Sequence, residues 1–316
     1  MKVVFMGTPE FAAICLDRII ESEHQVVGVV TVPDKPAGRG QKLTQSAVAK
    51  LAIEKNIPLL QPEKLRNPEF IENLKKLDAD AFVVVAFRML PKDVWQIPEK
   101  GTFNLHASLL PQYRGAAPIN WAIINGETET GVTTFLIDEK IDTGNILLKE
   151  TTPITDEDNV GTLHDRLAEI GKELIIKTLD GLEKNELTPQ PQENPSELKS
   201  AYKIFKEDCQ IDWNESLIQI HNKIRGLSPY PAAWTFIQKD EEIKSMKIFK
   251  GHFKYAATSE SEWNKIEFIQ NQIRITLKEG YYFLDELQPE GKKRMSSKDF
   301  INGLQDKTGW KIPLST

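Results

Sequence analysis

Residues 81–87 read AFVVVAF, an unbroken apolar run set between Asp80 and Arg88. A strand without a polar face has no side to give to water. It must be covered on both sides, as in a parallel sheet flanked by helices. The run is too short to cross a bilayer. The flanking chain repeats the same rhythm. KVVFMG (2–7) and QVVGVVTV (25–32) read as strands, whereas PEFAAICLDRII and AVAKLAIEKN carry apolar residues at helical spacing. Thr8 suits a helix cap with Pro9 at the first helical position. PDKPAGRGQKL (33–43) reads as a polar loop. GTFNLHA (101–107), TGVTTFLID (130–138) and NILLKETTPI (145–154) are further strands, APINWAIING (117–126) is a helix, and another helix runs from about 160 to 180. Strands alternating with helices predict an open, mostly parallel, Rossmann-like α/β sheet.

The rhythm breaks at ELTPQPQENPSELKSAYK (186–203), which is polar, proline-rich and without an apolar period. It reads as an interdomain linker. After one helix signal, NESLIQIHNKIRGL, short alternating runs follow: AAWTFIQ, SMKIFKG, NKIEFIQ, QIRITLKEG and YYFLDEL. These predict a small antiparallel β-barrel. The expected division is 1–187, a linker over 188–203, and 204–316. The net charge of −6 argues against general coating of nucleic acid but leaves room for a local basic face. From residue 202 onward Lys+Arg number 18 against 16 Asp+Glu, so the C-terminal part is the better partner for a polyanion. Cys15 and Cys209 are the two cysteines, which is no disulfide framework and fits a reducing cytosol. MKVVFMG reads as a first strand and not as a signal peptide.

Chemistry concentrates in FNLHASLLPQYRGAAP (103–118). On a strand, Asn104 and His106 project to the same side. In open α/β sheets ligands bind beyond the carboxyl ends of the strands. Histidine suits proton transfer near neutral pH, and an asparagine amide can donate to a developing oxyanion. The same pair also fits a hydrogen-bonded histidine beside a helix cap, so spacing alone leaves both readings open. In IDEKIDTGNIL (137–147) Asp142 can orient the ring, with Asp138 as a rival carboxylate and a plain turn as the other use of Asp142. No serine or cysteine stands in a nucleophile elbow, and no His/Cys spacing suggests a metal, so the nucleophile comes from a substrate. Gly7 stands alone in FMGTPEF, which makes a dinucleotide site a poor reading.

VVFMGTPEFA, PAGRG, FNLHASLLPQYRGAAPI and IDTG, in this order, resemble the folate-dependent formyltransferases, and within them the branch that acts on methionyl-tRNA. The similarity covers nearly the whole chain and continues into IDWNESLIQIHNKIRGLSPYPAAW (211–234), with HASLLP…RGAAP as its most specific block. The resemblance implies transfer of a formyl group from 10-formyltetrahydrofolate to the free amine of methionyl-initiator tRNA, for translation initiation. It implies a catalytic triad of Asn104, His106 and Asp142. Asn104 and protonated His106 would stabilise the oxyanion, His106 would relay a proton, and Asp142 would hold the ring. Phe87, Arg88, Met89 and Leu90 are expected to wall the folate pocket, together with Ser108, Leu109, Leu110 and Pro111.

For the tRNA, the resemblance points to Arg39 with Lys35 and Lys42, and to Arg114 near the amine. Lys292, Lys293 and Arg294 are the densest basic cluster of an oligonucleotide-binding-like (OB-like) C-terminal domain. As residue patterns, these also fit an ordinary surface loop and a solvated turn. Phe87-Arg88 stands where the family often has Tyr-Gly, and Lys140 where it often has Gly, so no role for the Arg88 or Lys140 side chains follows. A formyltransferase acting on a sugar nucleotide shares the triad and is the alternative; the PAGRG loop and the C-terminal domain favour tRNA. The expectation is a cytoplasmic monomer without metal or membrane contact.

Overall fold

The computed structural model describes residues 1–37, 42–193 and 196–313. These form two compact units. The first comprises Met1–Pro118, Glu129–Pro153 and His164–Tyr202; the second comprises Ile119–Thr128, Ile154–Leu163 and Lys203–Thr316. The main division between Tyr202 and Lys203 lies one residue from the expected start of the C-terminal part; the 188–203 stretch groups with the first unit up to Tyr202, and two short segments of the N-terminal part group with the second.

In the first unit the strands are β1 (Lys2–Gly7), β2 (Gln25–Val30), β3 (Lys35–Ala37), β4 (Lys42–Thr44), β5 (Leu59–Leu60), β6 (Ala81–Val85), β7 (Thr102–His106), β8 (Arg114–Gly115), β9 (Glu129–Leu136), β10 (Ile146–Pro153) and β11 (Ser200–Ala201). The main sheet runs β10-β9-β7-β6-β1-β2-β5. From β5 to β7 neighbouring strands are parallel, whereas β9 is antiparallel to β7 and β10 to β9. The AFVVVAF run supplies β6, all five residues of which are buried between β1 and β7.

One face of the sheet, with Val4, Met6, Phe82 and Val84, packs on Phe70 and Leu74 of α3 (Pro68–Lys76) and on Val94 of α4 (Lys92–Trp95). On β7, Leu105 lies against Gly171 of α6 (Val160–Glu183), where an added Cβ would come 2.7 Å from a Leu105 methyl. Alternation along β7 sends Asn104 and His106 to the side opposite Leu105. Helix α1 (Glu10–Ile20) is capped by Pro9, whose carbonyl receives the Ala12 and Ala13 N–H groups, so the cap falls one residue later than Thr8. α2 (Ala47–Glu54) follows the expected helix signal. The polar loop after β2 contains the β3–β4 hairpin.

The stretch read as a linker is fastened to this unit. Gln190 exchanges both main-chain hydrogen bonds with Ile146 at 2.8 Å, and β11 pairs in parallel with β8. A polar sequence without apolar period attaches here through hydrogen bonds, which leave no hydrophobic signature.

The second unit contains α5 (Pro118–Ile124) from Ile119 onward, α7 (Leu217–Leu227) and α8 (Ser297–Asn302). Its strands are β12 (Ala233–Lys239), β13 (Glu242–Tyr255), β14 (Ile266–Ile269), β15 (Gln272–Leu277), β16 (Gly280–Pro289), β17 (Met295–Ser296) and β18 (Trp310–Lys311). The order is β14-β15-β16-β13-β12-β18, with β17 on β16. The two edges meet through a Lys265–Lys311 bridge and an Ile312 N–H to Asn264 carbonyl bond of 2.8 Å, giving a nearly closed barrel. Closure removes the open edges that invite aggregation. Ile248, Ile275, Tyr282 and Leu284 fill the interior with Leu217, Ile220 and Ile224 of α7. Among the described residues, no helix is long and apolar enough to cross a membrane.

Candidate active site

β7 ends at His106, whose side chain is 7% exposed. Its Nε2–H donates to the Tyr113 carbonyl at 2.8 Å. A carbonyl only accepts, so this contact places a hydrogen on Nε2 and leaves Nδ1 for proton exchange. Nδ1 lies 3.8 Å from Asp142 Oδ2, too far for a hydrogen bond but within reach of an ion pair. Asn104 is half-buried on the same side of β7, and its amide has no hydrogen-bond partner among the described residues. An oriented imidazole, a carboxylate facing it and an open amide thus converge at the carboxyl end of a parallel strand.

The two carboxylates differ in their partners. Asp138 accepts from the Thr143 hydroxyl at 2.8 Å and the Lys140 N–H at 2.9 Å, which makes it the turn residue. Asp142 faces His106, and its Oδ2 also accepts the Gly115 N–H at 2.9 Å. Asp142 (φ 54°) and Tyr113 (φ 61°) both occupy the left-handed region, a conformation held only when surroundings enforce it. Gly115 (φ 129°) is required by close approach as well: an added Cβ would sit 2.3 Å from the Ala201 carbonyl oxygen.

The loop after His106 is braced from inside. Ser108 Oγ donates to the Gln112 carbonyl at 2.7 Å, Thr133 Oγ1 to the Ser108 carbonyl at 2.7 Å, and Lys149 Nζ to the Leu110 carbonyl. Burial lowers the Lys149 pKa. Ser108 and Leu110 are fully buried and shape the turn, while Leu109 and Pro111 are half-exposed.

Of the segment expected at the folate pocket, Phe87 is half-buried, Leu90 is buried and Met89 is 66% exposed. Met89 and Leu90 border a cavity of about 330 Å³ with Leu65 and Trp95 on its apolar walls and Arg66, Lys92 and Glu139 around it. Arg88 takes no part there. Its guanidinium donates to the Pro62 and Glu63 carbonyls at 2.8 and 3.0 Å, and burial lowers its pKa. It clips one loop to another.

Among the expected tRNA contacts, Arg39 lies outside the described residues, as does the side chain of Lys42, and Lys35 is exposed. Lys292 and Lys293 are exposed on the turn between β16 and β17. Arg294 bonds Glu286 and lies 4.4 Å over the Phe249 ring, which reduces its availability to a phosphate. Arg114 bonds Gln192 Oε1. Sequence reasoning missed Tyr113, Thr133, Lys149 and Gln192. Tyr113 acts through its carbonyl, and the others serve carbonyl or guanidinium partners far away in the chain, which no local pattern announces.

Residues 1–179 match the family described as formyl transferase, and residues 203–305 match the formyl transferase C-terminal domain. A methionyl-tRNA formyltransferase of Flavobacterium johnsoniae is 51% identical over 304 residues, covering 96% of each chain. That of Bacteroides thetaiotaomicron is 46% identical, covering 99% of this chain and 98% of its own. The chain belongs to the methionyl-tRNA formyltransferase family. Like other methionyl-tRNA formyltransferases, it is a formyl-transferring enzyme. Its fold is shared by the sugar 3N-formyl transferase WlaRD, solved in the presence of dTDP and 5-N-formyl-THF. That match has a TM-score of 0.64 at 23% identity over 93% of this chain and 99% of that one. It is shared also by HypX of Aquifex aeolicus in complex with tetrahydrofolic acid, with a TM-score of 0.64 at 17% identity over 99% of this chain and 51% of that one. At these identities the likeness to the two solved structures is one of fold alone.

Proposed function

We infer that the chain transfers the formyl group of 10-formyltetrahydrofolate to the α-amino group of methionyl-initiator tRNA, as a cytoplasmic monomer serving translation initiation. The observation that carries the chemistry is the convergence of the open Asn104 amide with His106 Nδ1, faced by Asp142. The acceptor rests on relatives of that name matching almost the entire chain, C-terminal unit included.

Attack of an amine on a formyl carbon builds negative charge on the formyl oxygen. An Asn104 N–H meets that oxygen where it is needed. The amine must lose a proton and the departing nitrogen must gain one, and His106 Nδ1 is the group placed to carry it. Asp142, 3.8 Å from Nδ1, keeps the ring oriented while that proton is in transit. The Tyr113 carbonyl holds the ring by its other nitrogen, so the imidazole keeps one orientation as its charge changes. The cavity beside Leu90 suits a flat ring system, and Arg66 suits a carboxylate on its tail. Lys35, Arg39, Lys42, Lys292 and Lys293 are the cations we assign to RNA phosphates.

The test is formyl transfer from 10-formyltetrahydrofolate to charged initiator tRNA. Transfer is expected. Transfer to an amino-sugar nucleotide without transfer to the tRNA would keep the folate chemistry and overturn the acceptor.

A further inference from the structure

Gln192 sits in PQPQ, in the stretch that reads as a spacer. Its side chain is half-buried and uses its whole hydrogen-bonding capacity within the first unit. The amide nitrogen donates to the Asp142 carbonyl at 2.9 Å and to the Gly144 carbonyl at 2.8 Å. The amide oxygen accepts from Arg114 Nε at 3.1 Å and from a terminal guanidinium nitrogen at 2.6 Å. Carbonyls only accept and guanidinium only donates, so the network fixes which end of the amide points where. Glutamate would turn an oxygen toward two carbonyls. Methionine would fill the space and make none of the four bonds.

The two loops joined in this way carry the two partners of the histidine. Tyr113, whose carbonyl holds His106 Nε2, directly precedes Arg114. Asp142, which faces Nδ1, is the residue whose own carbonyl Gln192 holds. The adjoining chain reinforces the join: Tyr113 N–H donates to the Lys199 carbonyl and Ala116 N–H to the Ala201 carbonyl, both at 2.6 Å. A substitution of Gly144 would disturb the same loop, since its Cβ would stand 1.7 Å from the Leu136 carbonyl oxygen.

We propose that Gln192 is a positioning residue for formyl transfer, fixing the Arg114 loop to the Asp142 loop and thereby setting the separation between Asp142 and His106. The proposal rests on the formyl-transfer reading of Asn104, His106 and Asp142. Gln192 touches no reacting atom; it acts through Asp142.

Two measurements on the full chain test it. In free protein labelled with 15N-histidine, Gln192→Met displaces the His106 ring resonances; unmoved resonances overturn the proposal whatever the acceptor. In the transfer assay Gln192→Met and Gln192→Glu each lower kcat by roughly 10- to 100-fold, as misplacement of a catalytic group does, with KM for the folate donor held within about twofold. On an Asp142→Ala background the same substitution costs less than about twofold, because the two changes share one route. Equal costs in both backgrounds, or a loss confined to KM, overturn the positioning role. A wild type that fails to formylate charged tRNA sinks the acceptor reading alone, and the histidine resonances still decide on Gln192.

Discussion

His106 in the first unit is buried and His221 in the second is half-buried, and their surroundings differ in kind. His106 is held by a carbonyl and faced by a carboxylate, both on loops with left-handed residues. His221 packs edge-on to Phe253 with ring centres 5.3 Å apart, and its Nδ1 lies 3.3 Å from the Tyr282 hydroxyl. Burial, with Arg225 nearby, lowers its pKa. One ring has a carbonyl at one nitrogen and a carboxylate facing the other. The other is packed against aromatic rings, and burial with Arg225 nearby favours its neutral form. Burial of a histidine is therefore uninformative by itself; the chemistry lies in what faces its two nitrogens.

Three substitutions sharpen that contrast at the first histidine. His106→Ala should lower turnover by on the order of 10³-fold, the usual worth of a proton-transferring group, with a thermal midpoint close to wild type. Unchanged turnover would break the comparison at its root. Asp142→Asn keeps an acceptor for the Gly115 N–H and removes the charge, so a smaller loss of about 10²-fold in kcat is expected. A wild-type rate there would mean that the 3.8 Å approach has no catalytic consequence. Lys149→Met leaves the Leu110 carbonyl without its charged donor. The expected cost is about 1.5–3 kcal/mol of stability in urea unfolding, the range for a lost hydrogen bond to a charged group. A midpoint within error of wild type would show that the turn braces itself.

Much of this is legible in the amino-acid sequence. AFVVVAF reads as a covered strand, and β6 is buried throughout. The i, i+2 spacing of Asn104 and His106 sets a common side once β7 is a strand. Three things are not legible, each for a physical reason. Helix α3 buries only Phe70 and Leu74, so its apolar stripe is too thin to stand out. Arg88 is engaged by carbonyls at Pro62 and Glu63, and carbonyls carry no residue identity. The 188–203 stretch reads as free because hydrogen bonds, and not apolar burial, attach it to the sheet and to Arg114. Polar attachment leaves no period to detect.

The smallest effect belongs to His221 and tests the other half of the contrast. Its folded pKa lies below the ordinary value of about 6.5. Asp156 and Glu157 raise it, but burial, Arg225 and His252 outweigh them. As pH falls through about 6.5 the unfolded chain takes up the proton first and the folded barrel resists. Stability that His221 contributes above that pH is then lost progressively, down to the folded pKa. His221→Phe keeps an aromatic ring against Phe253 and removes the titration. Urea midpoints at pH 7 and pH 5 should fall further in wild type than in His221→Phe, and acidic groups common to both proteins cancel in that difference. Equal falls would mean that the barrel accommodates the charged ring, and the two histidines would then differ in geometry alone.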